Sequence, residues 1–245
     1  MRMLLFSDLH FSGNITDVQQ FMLFELIKQI RPDIVIHAGD LNLCDMKVLM
    51  MIDSDYFFKD VLSGVPFYTV YGNHDSDAIF DITNLDGTPI LLKDGMNEIM
   101  GLKVFAFNGI FGFTKKNWYH RSLDDAVKLA FKHGNAEPDI MVTHEVPYGK
   151  WSEKINIWKY HNVLNFMVDF VKPKLYLFGH LHTEPPYNAT MFDNTYVIRV
   201  DSSPRHQTFA VVEYDNGVKT IDIYKFEDFF TKRDIGRATT AGSKE

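Results

Sequence analysis

At 245 residues the chain has the length of one large domain, and its composition is that of a globular protein. Hydrophobic residues make up 46% and aromatic residues 14%, and the apolar runs are strand-length or broken by charges, so no transmembrane helix is expected. The formal net charge of −7 disfavours broad binding to nucleic acid, which requires a basic surface. The single cysteine, Cys44, excludes an internal disulfide, and the N-terminus lacks the pattern of a signal peptide. We therefore expect a cytoplasmic protein without membrane association.

The first third of the chain alternates strands with helices. The strands are short apolar runs bounded by glycine or proline, and the helices follow capping residues or a period of 3.6. The predicted strands are Met3–Ser7, Asp33–His37 and Pro66–Tyr71, and the predicted helices are Thr16–Ile30 and Lys47–Leu62. This recurrence indicates a parallel sheet with helices packed on its faces.

The rest of the chain mixes hairpins with further buried strands. Short strands are predicted at Pro89–Leu92, Glu98–Met100 and Lys103–Phe107, and buried strands at Asp139–Thr143 and Leu175–Phe178. Helices are predicted at Ser122–His133 and around His161–Val171, and a final antiparallel set at Tyr196–Val200, Thr208–Tyr214 and Val218–Phe226. We predict a single domain over residues 1–236 and a flexible polar tail over residues 237–245.

Five polar fragments each follow or end a predicted apolar strand. They are Asp8-Leu9-His10, Gly39-Asp40, Gly72-Asn73-His74-Asp75, His144 and Gly179-His180-Leu181-His182. The carboxyl ends of parallel strands meet at one edge of an α/β sheet, so fragments far apart in sequence are expected to converge. Taken alone, the first three fragments are also typical of turns and His144 of a satisfied histidine at a strand end, whereas Gly-His-x-His is more specific. All five in this order at strand ends indicate a built site.

The donor types in these fragments favour transition metals. Imidazole and carboxylate without thiolate suit Mn, Fe, Zn, Co or Ni better than Ca or Mg. The donors are too many for one tetrahedral ion and fit two ions that share a ligand, and Asp40 is the natural bridge. We expect two divalent metal ions as cofactors, manganese first, with Fe, Zn, Ni and Co as alternatives.

The ordered set of fragments, which spans residues 8 to 182, resembles the calcineurin-like metallophosphoesterases. The resemblance implies an α/β fold in which a β-sandwich of two mixed sheets is flanked by α-helices, with a dinuclear site at one edge. It implies that one metal ion is held by Asp8, His10, Asp40 and His182, and the other by Asp40, Asn73, His144 and His180. Two further stretches, 143–149 and 172–175, are similar to the small Icc-like and MPPED-like phosphodiesterases.

Two adjacent cations would lower the pKa of a water molecule between them and neutralise charge on a phosphate. We therefore expect hydrolysis of a phosphate ester by a metal-bridging hydroxide, without a serine or cysteine nucleophile. His74 is the candidate general acid or phosphate ligand, because its neighbour Asn73 is assigned to metal. Asp75 is a candidate to orient His74 and raise its basicity.

Several substrate classes fit these residues. A phosphodiesterase that acts on a small molecule or nucleotide is the leading hypothesis. An Mre11-like DNA nuclease would share the ligands but is disfavoured by the net charge, and the ligands do not separate a phosphomonoesterase from a diesterase. A non-catalytic metal-binding interaction module is the least favoured, since the ligand set is complete. Nothing in the sequence decides the oligomeric state.

Aromatic segments near these fragments are candidates for substrate contact. The loop Phe111–Arg121 mixes cations with aromatic rings and could contact a base or a second phosphate substituent, or it could be a solvated loop with Trp118 tucked under it. Trp151, Trp158 and Tyr160 follow His144 and would either line the cleft or belong to the core.

Overall fold

The structure, a computed structural model, describes residues 1–11, 15–42, 56–112, 117–149, 162–230 and 236–239. Within these residues, no helix is both long and apolar enough to cross a lipid bilayer. Cys44, Trp151, Trp158 and Tyr160 lie outside the described residues, as does the first part of the helix predicted over Lys47–Leu62.

A first sheet contains six strands. They are β1 (Arg2–Phe6), β2 (Ile34–His37), β3 (Phe67–Thr69), β12 (Thr208–Tyr214), β13 (Val218–Lys225) and β14 (Gly236–Thr239), and their order is β14-β13-β12-β1-β2-β3. β1, β2 and β3 run parallel, whereas β12 pairs with β1 and β13 antiparallel. The sheet is therefore mixed, and its parallel half is the part predicted from the first third of the sequence.

A second sheet also contains six strands. They are β4 (Gly95–Ile99), β5 (Leu102–Phe107), β8 (Ile140–Thr143), β9 (Leu175–Phe178), β10 (Tyr187–Phe192) and β11 (Thr195–Val200), and their order is β10-β11-β9-β8-β5-β4. The four central strands run parallel, and the edge strands β4 and β10 are antiparallel to their neighbours. A small parallel pair, β6 (Ile110–Phe111) with β7 (His120–Arg121), lies apart from both sheets.

Helices cover the outer faces of the two sheets. The α-helices are α1 (Ile15–Ile30), α2 (Leu123–Lys132), α3 (Asn162–Val171) and α4 (Phe226–Phe230), with a π-helical turn at Phe57–Val61 and a 3-10 helix at Asp77–Asp81. α2 begins at Ser122, whose side chain accepts a hydrogen bond from the Asp125 N–H while Asp125 accepts one from the Ser122 N–H. This capping box satisfies backbone donors that the first turn of a helix leaves unpaired.

The alternation of side chains along β1 shows how the layers are built. Met3 and Leu5 point between the two sheets, where they join residues of the second sheet such as Val142 and Leu177. Leu4 and Phe6 point to the opposite face and pack with residues of α1. Since successive side chains of a strand alternate between faces, each sheet separates two apolar layers. The predicted β-sandwich of two mixed sheets flanked by helices is thereby confirmed.

Three local expectations differ from the structure. Residues 89–92, predicted as a strand, form isolated bridges from Pro89 to Thr83 and from Leu91 to Thr69. β10 was not predicted, because its edge position leaves it without a buried apolar face to give an alternating pattern. The segment predicted as a tail begins in β14, which pairs with β13 at the edge of the first sheet.

Candidate metal centre

The predicted ligands meet where the parallel strands of both sheets end. In the first sheet, Asp8 follows β1, Asp40 follows β2 and Asn73 follows β3. In the second sheet, His144 directly follows β8, and the segment with His180 and His182 follows β9. The structure gathers the donor side chains of these segments into two groups at this edge. This is the position at which open α/β sheets bind ligands.

Asp8, His10 and His182 form a first donor group, in which one ligand atom from each residue lies within 4.8 Å of the others. The Nε2 atoms of His10 and His182 are 3.2 Å apart, and each is 3.9 Å from Asp8 Oδ1. Asp8 is buried and His10 is half-buried, so the group has one open side. Two nitrogens and a carboxylate oxygen at these separations can bind one divalent ion.

Asp40, His144 and His180 form a second donor group of the same dimensions. The distance from His144 Nε2 to Asp40 Oδ2 is 3.2 Å, and from His144 Nε2 to His180 Nδ1 it is 3.1 Å. The other ring nitrogen of His144, Nδ1, hydrogen-bonds to the Ala38 carbonyl at 2.8 Å. This bond fixes the ring so that Nε2 faces the group.

Asp40 belongs to the second group and also faces the first. Its Oδ2 atom is 3.2 Å from His144 Nε2 in the second group and 3.8 Å from His10 Nε2 in the first. Its Oδ1 atom accepts a hydrogen bond of 2.8 Å from the His74 backbone N–H. One carboxylate that faces both groups is the arrangement expected of a ligand shared by two ions.

Asn73, in the segment after β3, has a side-chain oxygen without a hydrogen-bond partner. Its Oδ1 atom is buried and has no hydrogen-bond partner in the structure. A buried amide oxygen left unpaired costs free energy, about 1–3 kcal/mol, unless a ligand satisfies it. Together with the two donor groups, this orphaned oxygen shows that the residues fit a pair of divalent ions.

His74 and Asp75 follow Asn73 but occupy different surroundings. His74 is exposed, and its ring lies edge-on to the ring of His10 with the centroids 4.9 Å apart. Asp75 is buried, and its carboxylate accepts hydrogen bonds from the backbone N–H groups of Asp40, Asn42 and Gly72, at 3.0, 2.8 and 2.8 Å. These bonds connect Asp75 to the ligand-bearing loops, whereas the predicted role was to orient His74.

Four of the candidate ligands have left-handed backbone conformations. The φ angles of Asp8, His10, Asp40 and His180 are 56°, 46°, 58° and 70°. Such angles are uncommon for residues other than glycine and cost on the order of 1–3 kcal/mol each. The surrounding hydrogen bonds hold them, for example Asp8 N–H to Gly39 O at 2.9 Å and His10 N–H to Asp40 O at 3.0 Å.

Two glycines allow close backbone approach at the site. A Cβ atom on Gly72 would overlap Asp40 Oδ1 and would lie 2.6 Å from the His144 ring. A Cβ atom on Gly179 would overlap Ser7 Oγ. Only glycine fits at both positions, because neighbouring side chains of the site occupy the space that a Cβ atom would need.

The electrostatics of the site favour a cation. Burial raises the pKa of the Asp8 carboxyl to about 8, with a smaller contribution from Asp40. Burial alone would lower the pKa of His144, but the charges of Asp40 and Asp8 outweigh it and raise that pKa to about 10. Burial also opposes ionisation of Asp40, yet His144 holds the pKa of Asp40 below its ordinary value. A divalent ion would replace these protons, so metal binding releases protons and weakens as the pH falls.

The imidazoles of His10 and His180 are suited to bind metal as neutral ligands. Burial is the largest effect on both rings and lowers each pKa to about 4. At neutral pH each ring therefore keeps a free nitrogen lone pair, which is the form that coordinates a metal.

Asp201 lies outside the five predicted fragments but supports the candidate ligand His182. Its Oδ2 atom is 3.0 Å from His182 Nδ1, and its Oδ1 atom accepts a hydrogen bond of 3.0 Å from the Ser203 N–H. Asp201 is fully buried and directly follows β11, a parallel strand beside β9. The hydrogen bond raises the pKa of His182 and leaves its Nε2 facing Asp8. The signal that would have found Asp201 is the one used for the other ligands, a polar residue at the end of an apolar strand.

Other candidate residues lie elsewhere or only near the site. Trp118 is exposed and packs on Tyr71, with ring centroids 4.8 Å apart. Phe111, the first residue of the predicted loop, lies in β6. His37 is buried beside Thr69, with Nδ1 3.0 Å from its Oγ1, and burial lowers the pKa of His37 to about 3. His37 is thus a neutral core residue that belongs to neither donor group.

Two adjacent metal-binding groups at the carboxyl edge of a four-layer α/β/β/α sandwich define a protein of the metallophosphoesterase class. The sequence profile of the calcineurin-like phosphoesterases matches residues 1–184, and the chain belongs to that family. It is a hydrolase that acts on phosphoester bonds, and the family uses divalent metals. No curated protein matches the chain in a sequence comparison.

Solved structures with low sequence identity share this fold. TT1561 of Thermus thermophilus is 13% identical with a TM-score of 0.63, and the match covers 92% of this chain and 98% of that protein. GAP50 of Plasmodium, described as the anchor in the inner membrane complex, is 13% identical with a TM-score of 0.64, covering 100% and 90%. The 5'-nucleotidase of Candida albicans is 16% identical with a TM-score of 0.53, covering 95% of this chain and 53% of that protein.

The hydrogen bond between Asp201 and His182 predicts the behaviour of Asp201→Asn. We expect the affinity for one of the two metal ions to fall about 10- to 100-fold, because a supporting carboxylate orients a histidine ligand and raises its basicity. The measurement is a calorimetric titration of the metal-free protein with Mn²⁺.

Asp215→Asn, which changes an exposed turn residue in the same way, is the matched control. Two unchanged binding steps in Asp201→Asn would show that His182 does not need this support.

Proposed function

We propose that the chain is a dinuclear metal-dependent phosphodiesterase, with manganese as the preferred metal. The observation that carries the proposal is the pair of donor groups that face a single carboxylate, Asp40, at the edge of the sandwich. Asp8, His10, Asp40 and His182 would hold one ion. Asp40, Asn73, His144 and His180 would hold the other. Divalent ions held there would acidify a water molecule and neutralise charge on the phosphate during attack.

The charge of the site supports a diester as the substrate. The described side chains of the two centres are carboxylates, imidazoles and an amide, and none of them is lysine or arginine. Asp8 and Asp40 offset about half of the charge that two divalent ions would bring. A hydroxide held between the ions would offset one further charge, and the single positive charge then remaining matches the single negative charge of a phosphodiester better than the two charges of a monoester.

His74 is assigned the part of a general acid or phosphate ligand on the open side of the site. It is exposed next to the buried ligands, and its ring contacts that of His10. The hydrogen bond from the His74 backbone N–H to Asp40 Oδ1 fixes the backbone position from which the imidazole extends. An exposed imidazole in this position can donate a hydrogen bond or a proton to the leaving oxygen of the ester.

Asp75 is assigned a positioning role. Three backbone N–H groups from the two ligand-bearing loops converge on its carboxylate. Asp75 therefore fixes the distance between Asp40 and the loop that carries Asn73 and His74. Its influence on His74 would be exerted through this loop geometry.

The first test is hydrolysis of bis-p-nitrophenyl phosphate against p-nitrophenyl phosphate, with Mn²⁺ and with an EDTA control. We expect metal-dependent cleavage, with kcat/KM for the diester about tenfold or more above that for the monoester. Repeating the assay with Zn²⁺, Fe²⁺, Co²⁺ and Ni²⁺ tests the metal preference.

The alternatives give different results in the same assay. A preference for the monoester would identify a phosphomonoesterase. Cleavage of neither ester by protein that binds two ions would favour the non-catalytic module. With DNA added as a third substrate, cleavage of DNA in preference to both esters would favour the nuclease.

Asp40→Asn tests the shared ligand. The amide has the size of the carboxylate but lacks the charge that attracts two cations, so we expect fewer than two bound ions and a loss of activity of about 100-fold or more. Metal analysis of the purified protein and the diester assay measure both effects, with Asp215→Asn as the control. Full occupancy with normal turnover would refute the bridging role.

His74→Ala separates chemistry from metal binding. We expect unchanged metal content and a kcat lower by about 100- to 10,000-fold, most strongly for esters with poor leaving groups, because an acid in this position assists departure of the leaving oxygen. Metal analysis and kcat for a series of aryl esters are the measurements.

His133→Ala, which removes an imidazole at the end of α2 beside Phe105, is the control. If His74→Ala loses metal instead, His74 is a ligand and its assignment changes.

A further inference from the structure

Three aromatic side chains lie together next to the segment that carries Asn73 and His74. The ring centroid of Trp118 is 4.8 Å from that of Tyr71 and 5.7 Å from that of Phe80, and the centroids of Tyr71 and Phe80 are 5.9 Å apart. Phe80 and Trp118, with Tyr71 beneath them, form an aromatic platform.

The chain connects one side of the platform directly to the ligands. Tyr71 immediately precedes Gly72, whose backbone lies against Asp40 and His144. Phe80 belongs to the 3-10 helix Asp77–Asp81, which begins two residues after Asp75. The platform therefore forms around the same loop that carries Asn73 and His74.

The other side of the platform is held to the same edge of the second sheet. Trp118 lies just before β7, which pairs with β6. The Phe111 N–H in β6 donates a hydrogen bond of 3.0 Å to the carboxylate of Glu145, the residue after the ligand His144. Both segments that build the platform are thus anchored at the edge where the donor groups lie.

The platform has a rigid base and an open surface. Tyr71 is buried, its N–H donates to Asn108 Oδ1 at 2.9 Å, and its carbonyl accepts from the Gly109 N–H at 2.8 Å. Phe80 and Trp118 remain 54% and 41% exposed although they contact one another. Large aromatic rings exposed side by side next to a binding site indicate a surface that a ligand covers.

We infer that Phe80 and Trp118 form a subsite for an aromatic ring on the ester group of the substrate, and that a nucleobase is the chemistry that fits it. This inference rests on the proposed function, because the metal centre must hold the phosphate for the ester group to reach the platform. Stacking on aromatic side chains uses the π-face of a base and needs no basic residues, so it is compatible with the net charge of −7. The subsite would make the chain selective for nucleotides over alkyl phosphate esters.

The test compares the binding of AMP with that of ribose 5-phosphate, measured by calorimetry on the Mn²⁺-loaded protein. The two ligands share the phosphate and the sugar, so their difference in affinity reports the base alone. We expect AMP to bind about fivefold to a hundredfold more tightly, the range for stacking of one base. In Trp118→Ala and Phe80→Ala the affinity for AMP should fall towards that for ribose 5-phosphate, whereas Trp118→Phe should retain much of the advantage.

Phe131→Ala is the matched control, because Phe131 is also an exposed ring and packs on Phe166 and Phe170. Equal binding of the two ligands by the wild-type protein would overturn the subsite and leave the metal chemistry standing. An AMP advantage that persists in both alanine variants would also overturn it. If the wild-type, Mn²⁺-loaded protein neither binds these two phosphates nor cleaves bis-p-nitrophenyl phosphate, the proposed function is overturned, and the subsite with it.

Discussion

The structure depends on placing two carboxylates, Asp8 and Asp40, in a buried position where ionised groups are unfavourable. Both are about 1% exposed, and the imidazole of His144, whose Nε2 is 3.2 Å from Asp40 Oδ2, is a charge that lowers the pKa of both carboxyls. In a medium of low dielectric constant, such charges must be neutralised by protons or by bound cations. The raised pKa values of Asp8 and His144 show the first solution, and a pair of divalent ions is the second.

The backbone around these carboxylates is adapted to the same requirement. Ligands with positive φ angles and glycines that touch side chains would each destabilise an isolated loop. They are tolerated because the strands before them belong to two fully buried parallel sheet centres, in which β1 and β9 are packed on both faces. Stability from the sandwich core thus offsets local strain at its edge, which fixes the donor atoms before any ligand binds.

The site is surrounded by two kinds of support with different consequences. Asp75 and Asp201 are buried and bind backbone amides or a histidine ligand, so they set distances between ligands. His74 and the aromatic platform are exposed, so they are available to substrate. The acidic surface of the chain, with its net charge of −7, makes the metal centre the natural place for an anionic ester to bind.

The amino-acid sequence by itself determined the fold class and the fragments that form the two donor groups. Apolar strands and the polar residues directly after them are local features, and the rule that parallel strands end at one edge predicts their convergence.

The tertiary structure decided which side chains meet across the two sheets. Asp201 was missed because Asp201-Ser202-Ser203-Pro204 reads as a turn, and its contact with His182 arises only where β11 lies beside β9. Asp75 was predicted to act on His74 because the two are adjacent in sequence, but burial turned its carboxylate towards the backbone of the neighbouring loops. Phe80 and Trp118 likewise come together only through packing on Tyr71, since contacts between distant segments depend on how the layers pack and leave no periodic signal in the chain.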